Sequence, residues 1–213
     1  PLMTITYQAI SAPLVIGVCD DPGCFSSSNE QDSRHWGRMA SIPVFDPSTP
    51  DEAGSMIKDA FELSSKLCLP VMLRMTTRVS HSRGVVSYGE NQAGTRIPGF
   101  NKLPQHINIP ARTAAAHLAL LDKLSSDAVT SCSRSHCRLL RHRSGNHLGI
   151  IASGVAANYI QEALSRRRGL PVSLLKAGLV HPFPEESVTR FLRKGFRKIL
   201  VLEELAPLLE EGT

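Results

Sequence analysis

Two short stretches of this sequence hold side chains suited to chemistry. Residues 20–34 read DDPGCFSSSNEQDSR, and residues 74–83 read RMTTRVSHSR. The first packs an acidic pair, a Pro-Gly turn and serines into one loop, followed by Asn29, Glu30, Gln31, Asp32 and Arg34. The second offers hydroxyls at Thr76 and Thr77, cations at Arg74 and Arg78, and an imidazole at His81. The planar fork of arginine suits two-pronged pairing with a carboxylate. Serine and glutamine side chains suit neutral oxygens and nitrogens. Ser27 with Glu30, or Ser28 with Gln31, also has the spacing of a capping box, so part of the polarity serves to start a helix. Backbone N–H groups at such a helix start can hold an anionic group. There is no G-x-S-x-G elbow, P-loop, H-E-x-x-H or complete G-x-G-x-x-G after a strand. Ser, His and Asp are present, but a hydrolytic triad is defined by geometry rather than inventory.

Both stretches follow apolar runs that read as strands, residues 14–19 and 71–75. If these strands run parallel, both loops lie at their carboxyl ends, where open α/β sheets bind ligands, and face each other across a crevice. Between them the pattern predicts a helix over 29–41, a short strand over 43–45 and a helix opened by Thr49, Pro50 and Glu52. That helix places Ala53, Met56, Ile57, Ala60 and Phe61 on one face and ends near Leu67. A second set follows: strand 148–152, helix 154–167, strand 172–176, helix 184–194 and strand 199–202. The expected fold class is therefore α/β, with two parallel-sheet α/β units. Their expected limits are residues 1–85 and 147–213. Residues 86–146 form a connection with one helix, over roughly 111–124.

The bulk numbers are ordinary for a folded chain: 213 residues, 42% hydrophobic and 20% charged. No apolar run approaches the ~18 residues of a membrane span, and no basic region followed by an apolar stretch marks a secretion signal. Five cysteines without regular spacing, in a chain without such a signal, are expected to be reduced thiols in the cytoplasm. The net charge of +5 gathers in Arg134, Arg138, Arg141, Arg143 and the run Arg166-Arg167-Arg168. No nucleic-acid motif accompanies these arginines, so a solvated linker and a helix terminus explain them, and no nucleic-acid partner is expected. Residues 125–146 offer Cys132, His136, Cys137, His142 and His147, without the paired spacing of a zinc site. That stretch reads as a disordered basic linker or as a locally corrupted reading frame. The opening Pro1-Leu2-Met3-Thr4 and the closing Glu210-Glu211-Gly212-Thr213 look cut, so the chain reads as an internal segment of a longer one.

In order along the chain, DDPGCFSSSNEQDSR, LPVMLRMTTRVSHSRG, LGIIASGVAANYIQEAL, LVHPFPEESV and ILVLEEL resemble the thiamine-diphosphate-containing subunit of indolepyruvate ferredoxin oxidoreductases. The first two stretches are specific; the last three are general to the 2-oxoacid:ferredoxin oxidoreductase superfamily. The resemblance runs the length of the chain and weakens between residues 86 and 146. Cys24, Phe25 and Trp36 depart from the family pattern.

The resemblance implies oxidative decarboxylation of aryl 2-oxo acids with coenzyme A, giving an acyl-CoA, CO2 and reduced ferredoxin. It implies thiamine diphosphate, Mg2+ and [4Fe-4S] clusters in the parent protein, a partner subunit, and no membrane. Residues 1–85 would be the latter part of the pyrimidine-binding domain, and 147–213 most of a transketolase C-terminal-like domain. The glutamate that activates the cofactor is expected upstream of Pro1. The Mg2+ and cluster ligands are expected downstream of Thr213, so this segment is expected to be inert by itself. Ser26, Ser27, Asn29, Glu30, Gln31, Asp32, Arg34, Arg74, Thr76, Thr77, Arg78 and His81 would then border the cofactor–substrate cleft. Arg34, Arg74 and Arg78 are the candidates for the substrate carboxylate, and Ser27 and Gln31 for its ketone. No metal ligand is expected among them. Another 2-oxo acid as substrate, and a non-catalytic module derived from the family, are the alternatives.

Overall fold

The structure is a computed structural model that describes residues 1–87, 89, 99, 102–141, 147–167 and 169–213. The first half runs α1 (Leu2–Gln8), β1 (Val15–Asp20), α2 (Arg34–Ala40), β2 (Val44–Phe45), α3 (Pro50–Leu67), β3 (Val71–Thr76) and α4 (Thr77–Ser80). After a 3-10 turn at Pro104–His106 come α5 (Pro110–Leu124), α6 (Asp127–His136) and β4 (Cys137–Arg141). The remainder runs β5 (Leu148–Ser153), α7 (Gly154–Arg166), β6 (Val172–Ala177), β7 (Leu179–His181), α8 (Glu185–Leu192), β8 (Lys198–Leu202) and α9 (Leu208–Gly212).

These strands make two sheets, in the orders β1-β3-β2-β7 and β4-β6-β5-β8. The α/β architecture with two sheets is the one expected. β1 and β3 are parallel, with Asp20 opposite Thr76, so both polar loops leave the same edge of the first sheet. β5 is parallel to both β6 and β8. Each sheet also has an antiparallel edge, β7 on β2 and β4 on β6, which the strand–helix alternation did not foretell. The sequence distance between these partners is long enough for either orientation, and period-2 patterning does not encode strand direction.

Helix α3 shows how local chemistry sets an element. The Thr49 hydroxyl accepts from the Glu52 N–H at 3.2 Å, and Pro50 occupies the first turn, where its missing donor is harmless. The buried stripe is Met56, Ala60, Leu63 and Leu67; the expected Ile57 and Phe61 lie on the flank and stay exposed. Glu52 does not complete the expected capping box. Its carboxylate turns to the N–H and hydroxyl of Ser48 and to the ammonium of Lys176.

Two further expectations are corrected. Helix α2 begins at Arg34 rather than Asn29, because the acidic pair, not the serines, organises the loop before it. The described part of 86–146 is not a linker with one helix, nor is its basic end disordered as far as residue 141. It contributes α5, α6 and β4, and Leu120, Val129 and Cys137 are buried. Residues 142–146, with Arg143 and His142, lie outside the described residues. Burial explains the difference: α6 packs on α3, and His136 hydrogen-bonds Asp59 at 2.8 Å while meeting the Phe45 ring edge-on. Arg134 pairs with Glu186, Arg166 with Glu162, and Arg141 donates to the carbonyls of Leu164 and Leu170, so part of the basic run is held by contacts within the fold.

One apolar cluster joins the two sheets. It brings Val44 and Met72 of the first together with Ile151, Leu175 and Ala177 of the second, closed by Phe191, Leu208 and Leu209. No helix among the described residues is long and apolar enough to cross a membrane.

Candidate functional site

The carboxyl ends of β1, β3 and β8 meet in a belt of charged side chains. At its base, Arg74 is 1% exposed; its Nε donates to Asp20 Oδ2 at 2.7 Å and its Nη1 to Asp46 Oδ1 at 3.2 Å. Burial disfavours the charge of Arg74, but Asp46 and Asp20 more than offset it and hold its pKa above the ordinary arginine value. Arg34 is fully buried. It clamps Asp32 with Nε and Nη2 at 2.8 and 2.7 Å, gives Nη1 to Glu203 at 2.6 Å, and reaches the carbonyls of Glu204 and Ala206. Arg78 lies at the mouth, 33% exposed, with Nη1 on Glu204 Oε1 at 2.9 Å and its guanidinium carbon 5.0 Å from the centre of the Phe25 ring. Arg78 thus touches the serine-rich loop and the loop after β8 at once. The two stretches singled out in the sequence meet at this guanidinium.

The serine-rich loop is shaped by its carboxylates. Asp21 Oδ2 accepts the N–H groups of Ser26 and Ser27, both at 2.6 Å. Asp20 takes the N–H and hydroxyl of Ser33 at 2.9 and 2.5 Å, and Glu30 takes the N–H of Gly23 at 2.7 Å. Ser27 gives its hydroxyl to the carbonyl of Asn29, so neither expected serine cap forms. The Ser26 N–H above all, against burial and with help from Ser27, brings the Asp21 pKa down from 3.8 to about 2. A lowered carboxylate pKa contributes stability that is complete above the unfolded value and is lost as pH falls through the folded one. The loop should therefore loosen between about pH 4 and pH 2. The fluorescence of Trp36, in the helix that follows and the chain's single tryptophan, reports it. Asp21→Asn should abolish that step; an unchanged step assigns it to another group.

Several buried polar atoms at this edge have no hydrogen-bond partner among the described residues: Asp21 Oδ1, Arg74 Nη2, the hydroxyls of Thr76, Thr77 and Ser153, and Glu204 Oε2. Such atoms cost about 1–3 kcal/mol each unless something meets them. They belong to the carboxyl ends of β1, β3, β5 and β8, and Asp46 links the two sheets there. A Cβ on Gly154 would stand 2.8 Å from both Asp46 carboxylate oxygens, and Gly154 has φ +49°. Glycine is needed at that point.

The structure thus brings Asp32, Arg34, Arg74, Thr76, Thr77 and Arg78 together, with Ser26 and Ser27 tied to Asp21 beside them. Asn29, Glu30 and Gln31 lie exposed on the outer rim of the loop, and His81 is exposed beyond α4. Sequence reading missed Asp46, Glu203 and Glu204 as members of the cluster. The signal for the glutamates was present: Glu203-Glu204 follows β8 just as Asp20-Asp21 closes β1, and the same strand-end rule applies. Among the described residues, no group of three or more His, Cys, Asp and Glu side chains is placed to hold a metal ion. Burial pushes the Cys132 thiol up to about 12 and raises Cys137 as well, so neither is a ready nucleophile.

No family model matches the chain. Among curated proteins it is 40% identical over 209 residues to indolepyruvate oxidoreductase subunit IorA of Methanothermobacter thermautotrophicus, covering 98% of this chain and 34% of that subunit. The subunit of the same name from Pyrococcus abyssi is 36% identical over 215 residues, covering 98% and 33%. Among solved structures, a 2-oxoglutarate:ferredoxin oxidoreductase from Magnetococcus marinus, with 2-oxoglutarate, coenzyme A and succinyl-CoA bound, superposes with TM-score 0.68 at 17% identity. That match covers 99% of this chain and 45% of the other, and at such identity it speaks for the fold. A transketolase from Pichia stipitis matches at TM-score 0.50 and 14% identity, over 92% of this chain and 24% of its own. The chain spans about a third of the length of the curated relatives it matches. The resemblance read from the motifs is thereby shown: along nearly its whole length, this chain is a homologue of one segment of indolepyruvate oxidoreductase subunit IorA.

Proposed function

We propose that the chain is a segment of the thiamine-diphosphate-containing subunit of an indolepyruvate:ferredoxin oxidoreductase, and that it builds one wall of the cofactor–substrate cleft. In this reading residues 1–85 belong to the pyrimidine-binding domain and residues 147–213 to the transketolase C-terminal-like domain. The parent converts an aryl 2-oxo acid, coenzyme A and two oxidised ferredoxins into an acyl-CoA, CO2, a proton and two reduced ferredoxins. Bound thiamine diphosphate supplies a carbanion for the ketone and a sink for the electrons left when CO2 departs. Mg2+ and the [4Fe-4S] clusters belong, in this reading, to other parts of the subunit.

The observation that carries the proposal is the meeting of three strand-end loops at Arg78, beside buried polar atoms that lack partners. The Thr77 hydroxyl and the Arg74 Nη2, both without a partner among the described residues, are donors suited to a heteroaromatic ring edge and a carbonyl oxygen. Arg78 is the member of the three arginines that reaches solvent, so it is assigned the substrate carboxylate. Arg34 and Arg74 hold the loops in register from beneath, and Ser26, Ser27, Asn29 and Gln31 form the polar rim.

The test is Arg78→Ala in the full-length subunit assembled with its partner subunit. Loss of a charge-assisted pair predicts KM for indolepyruvate raised about tenfold or more, with kcat less affected. An unaltered KM removes Arg78 from the site. Pyruvate and a branched-chain 2-oxo acid measured alongside separate the aryl reading from other members of the superfamily, and full activity without this segment would leave it a non-catalytic module.

A further inference from the structure

Glu203 and Glu204 follow β8 side by side, yet the fold uses them differently. Glu203 is saturated: it accepts from Arg34 Nη1 at 2.6 Å and from the N–H groups of Leu209 and Glu210 at 3.0 to 3.1 Å. Glu204 has its main chain pinned instead, its carbonyl taking Arg34 Nη2 at 2.6 Å, and Leu205 after it is held at φ +71°. That is strained backbone for a residue with a side chain, so the turn is over-determined by its surroundings. The Glu204 carboxylate meets Arg78 through Oε1, while Oε2 is buried without a partner.

We propose that Glu204 is a resident competitor for Arg78, its carboxylate occupying, in the unliganded cleft, the guanidinium edge that the carboxylate of a 2-oxo acid takes on binding. The proposal rests on the assignment of Arg78 to that carboxylate. Geometry makes the exchange cheap. Side-chain exposure is 33% for Arg78 and 16% for Glu204, against 0% for Arg34 and 1% for Arg74. A partly exposed pair separates at lower cost than a fully buried one. Arg78 keeps its place without Glu204, because its guanidinium also lies against the Phe25 ring. Burial pushes the Glu204 pKa up, Arg78 and then Arg74 pull it down, Asp46 adds to the rise, and Thr76 opposes it. The apparent affinity for substrate is then reduced by the fraction of molecules in which Glu204 holds Arg78.

The experiment uses the full-length subunit with its partner, in the forms wild type, Glu204→Gln, Glu204→Asp, Arg78→Ala and the Arg78→Ala/Glu204→Gln double variant. KM for indolepyruvate and the inhibition constant of 3-indolepropionate, a carboxylate without the ketone, are measured for each. Glu204→Gln should lower both by about fivefold, the change lying in KM rather than kcat. Glu204→Asp should restore the wild-type values, and the effect of Glu204→Gln should vanish when Arg78 is absent. Unchanged or raised constants in Glu204→Gln, beside a raised KM in Arg78→Ala, overturn the competitor and leave the assignment of Arg78 standing. Unmoved constants in Arg78→Ala overturn both.

Discussion

Replacing Arg74 with methionine is expected to cost the fold about 3–5 kcal/mol, the penalty for leaving buried charge uncompensated. Asp20 and Asp46 both turn their carboxylates to this one guanidinium, and all three side chains are within 2% of full burial. Without it two anions face each other in a space closed to water. Asp46 also lies against Gly154 at the start of α7, so its displacement carries into the second sheet. Arg74→Lys should rescue little, because one ammonium cannot span two carboxylates lying along different edges of a fork. Total stabilities of domains are only about 5–15 kcal/mol, so the variant should sit near the edge of folding. Urea unfolding measures the loss. A cost below about 1 kcal/mol, the range of exposed pairs, would show that water reaches the cluster.

Lys176→Met is the second large effect, expected again at about 3–5 kcal/mol. Lys176 is 3% exposed near the carboxyl end of β6, and its Nζ donates to Ser48 Oγ at 2.6 Å and to both oxygens of Glu52 at the start of α3. The pair fastens the second sheet to a helix of the first. Burial lowers the Lys176 pKa in spite of Glu52. For Glu52 burial acts upward, yet the Lys176 hydrogen bond and charge, with Ser48, bring it below its usual 4.5. Removing Lys176 leaves the burial effect unopposed by that charge. The wild-type contribution of Glu52 is complete above pH 4.5 and fades as pH falls through its lowered folded value. The gap between variant and wild type should therefore narrow in acid. Adding Glu52→Gln should recover about half of the loss or more, since the amide removes the stranded charge and still accepts from Ser48. An additive double variant would mean the two side chains are not coupled.

The parts of the fold that the chain encodes locally were legible before any coordinates. The Thr49-Pro50 start of α3, the apolar strands β1, β3, β5 and β6, and the polar loops after β1 and β3 all depend on residues within a few positions of one another. The same holds for the motifs that tie the chain to its relatives. What was misread depended on partners far along the chain. The 125–146 stretch looked like a basic linker because its charges are visible in sequence, and the burial of Val129, Ser133, His136 and Cys137 against α3 and α8 is not. Ser27 and Ser28 looked like helix caps because their spacing allows it; Asp20 and Asp21 won because they already sat at the strand end.

By itself, then, the sequence determined the locally encoded strands and helices, the two strand-end loops and the kinship with IorA, all of which follow from local pattern and residue identity. Only the tertiary structure decided how the arginines divide their work. Arg34, Arg74 and Arg78 look interchangeable on the page of letters. Asp32 with Glu203 saturates the first, Asp20 with Asp46 buries the second, and the third, partly exposed, meets Glu204 alone among the carboxylates of the described residues. The physical reason is that a guanidinium's role is set by how many carboxylates reach it and how much water is left, and both depend on residues up to 172 positions away.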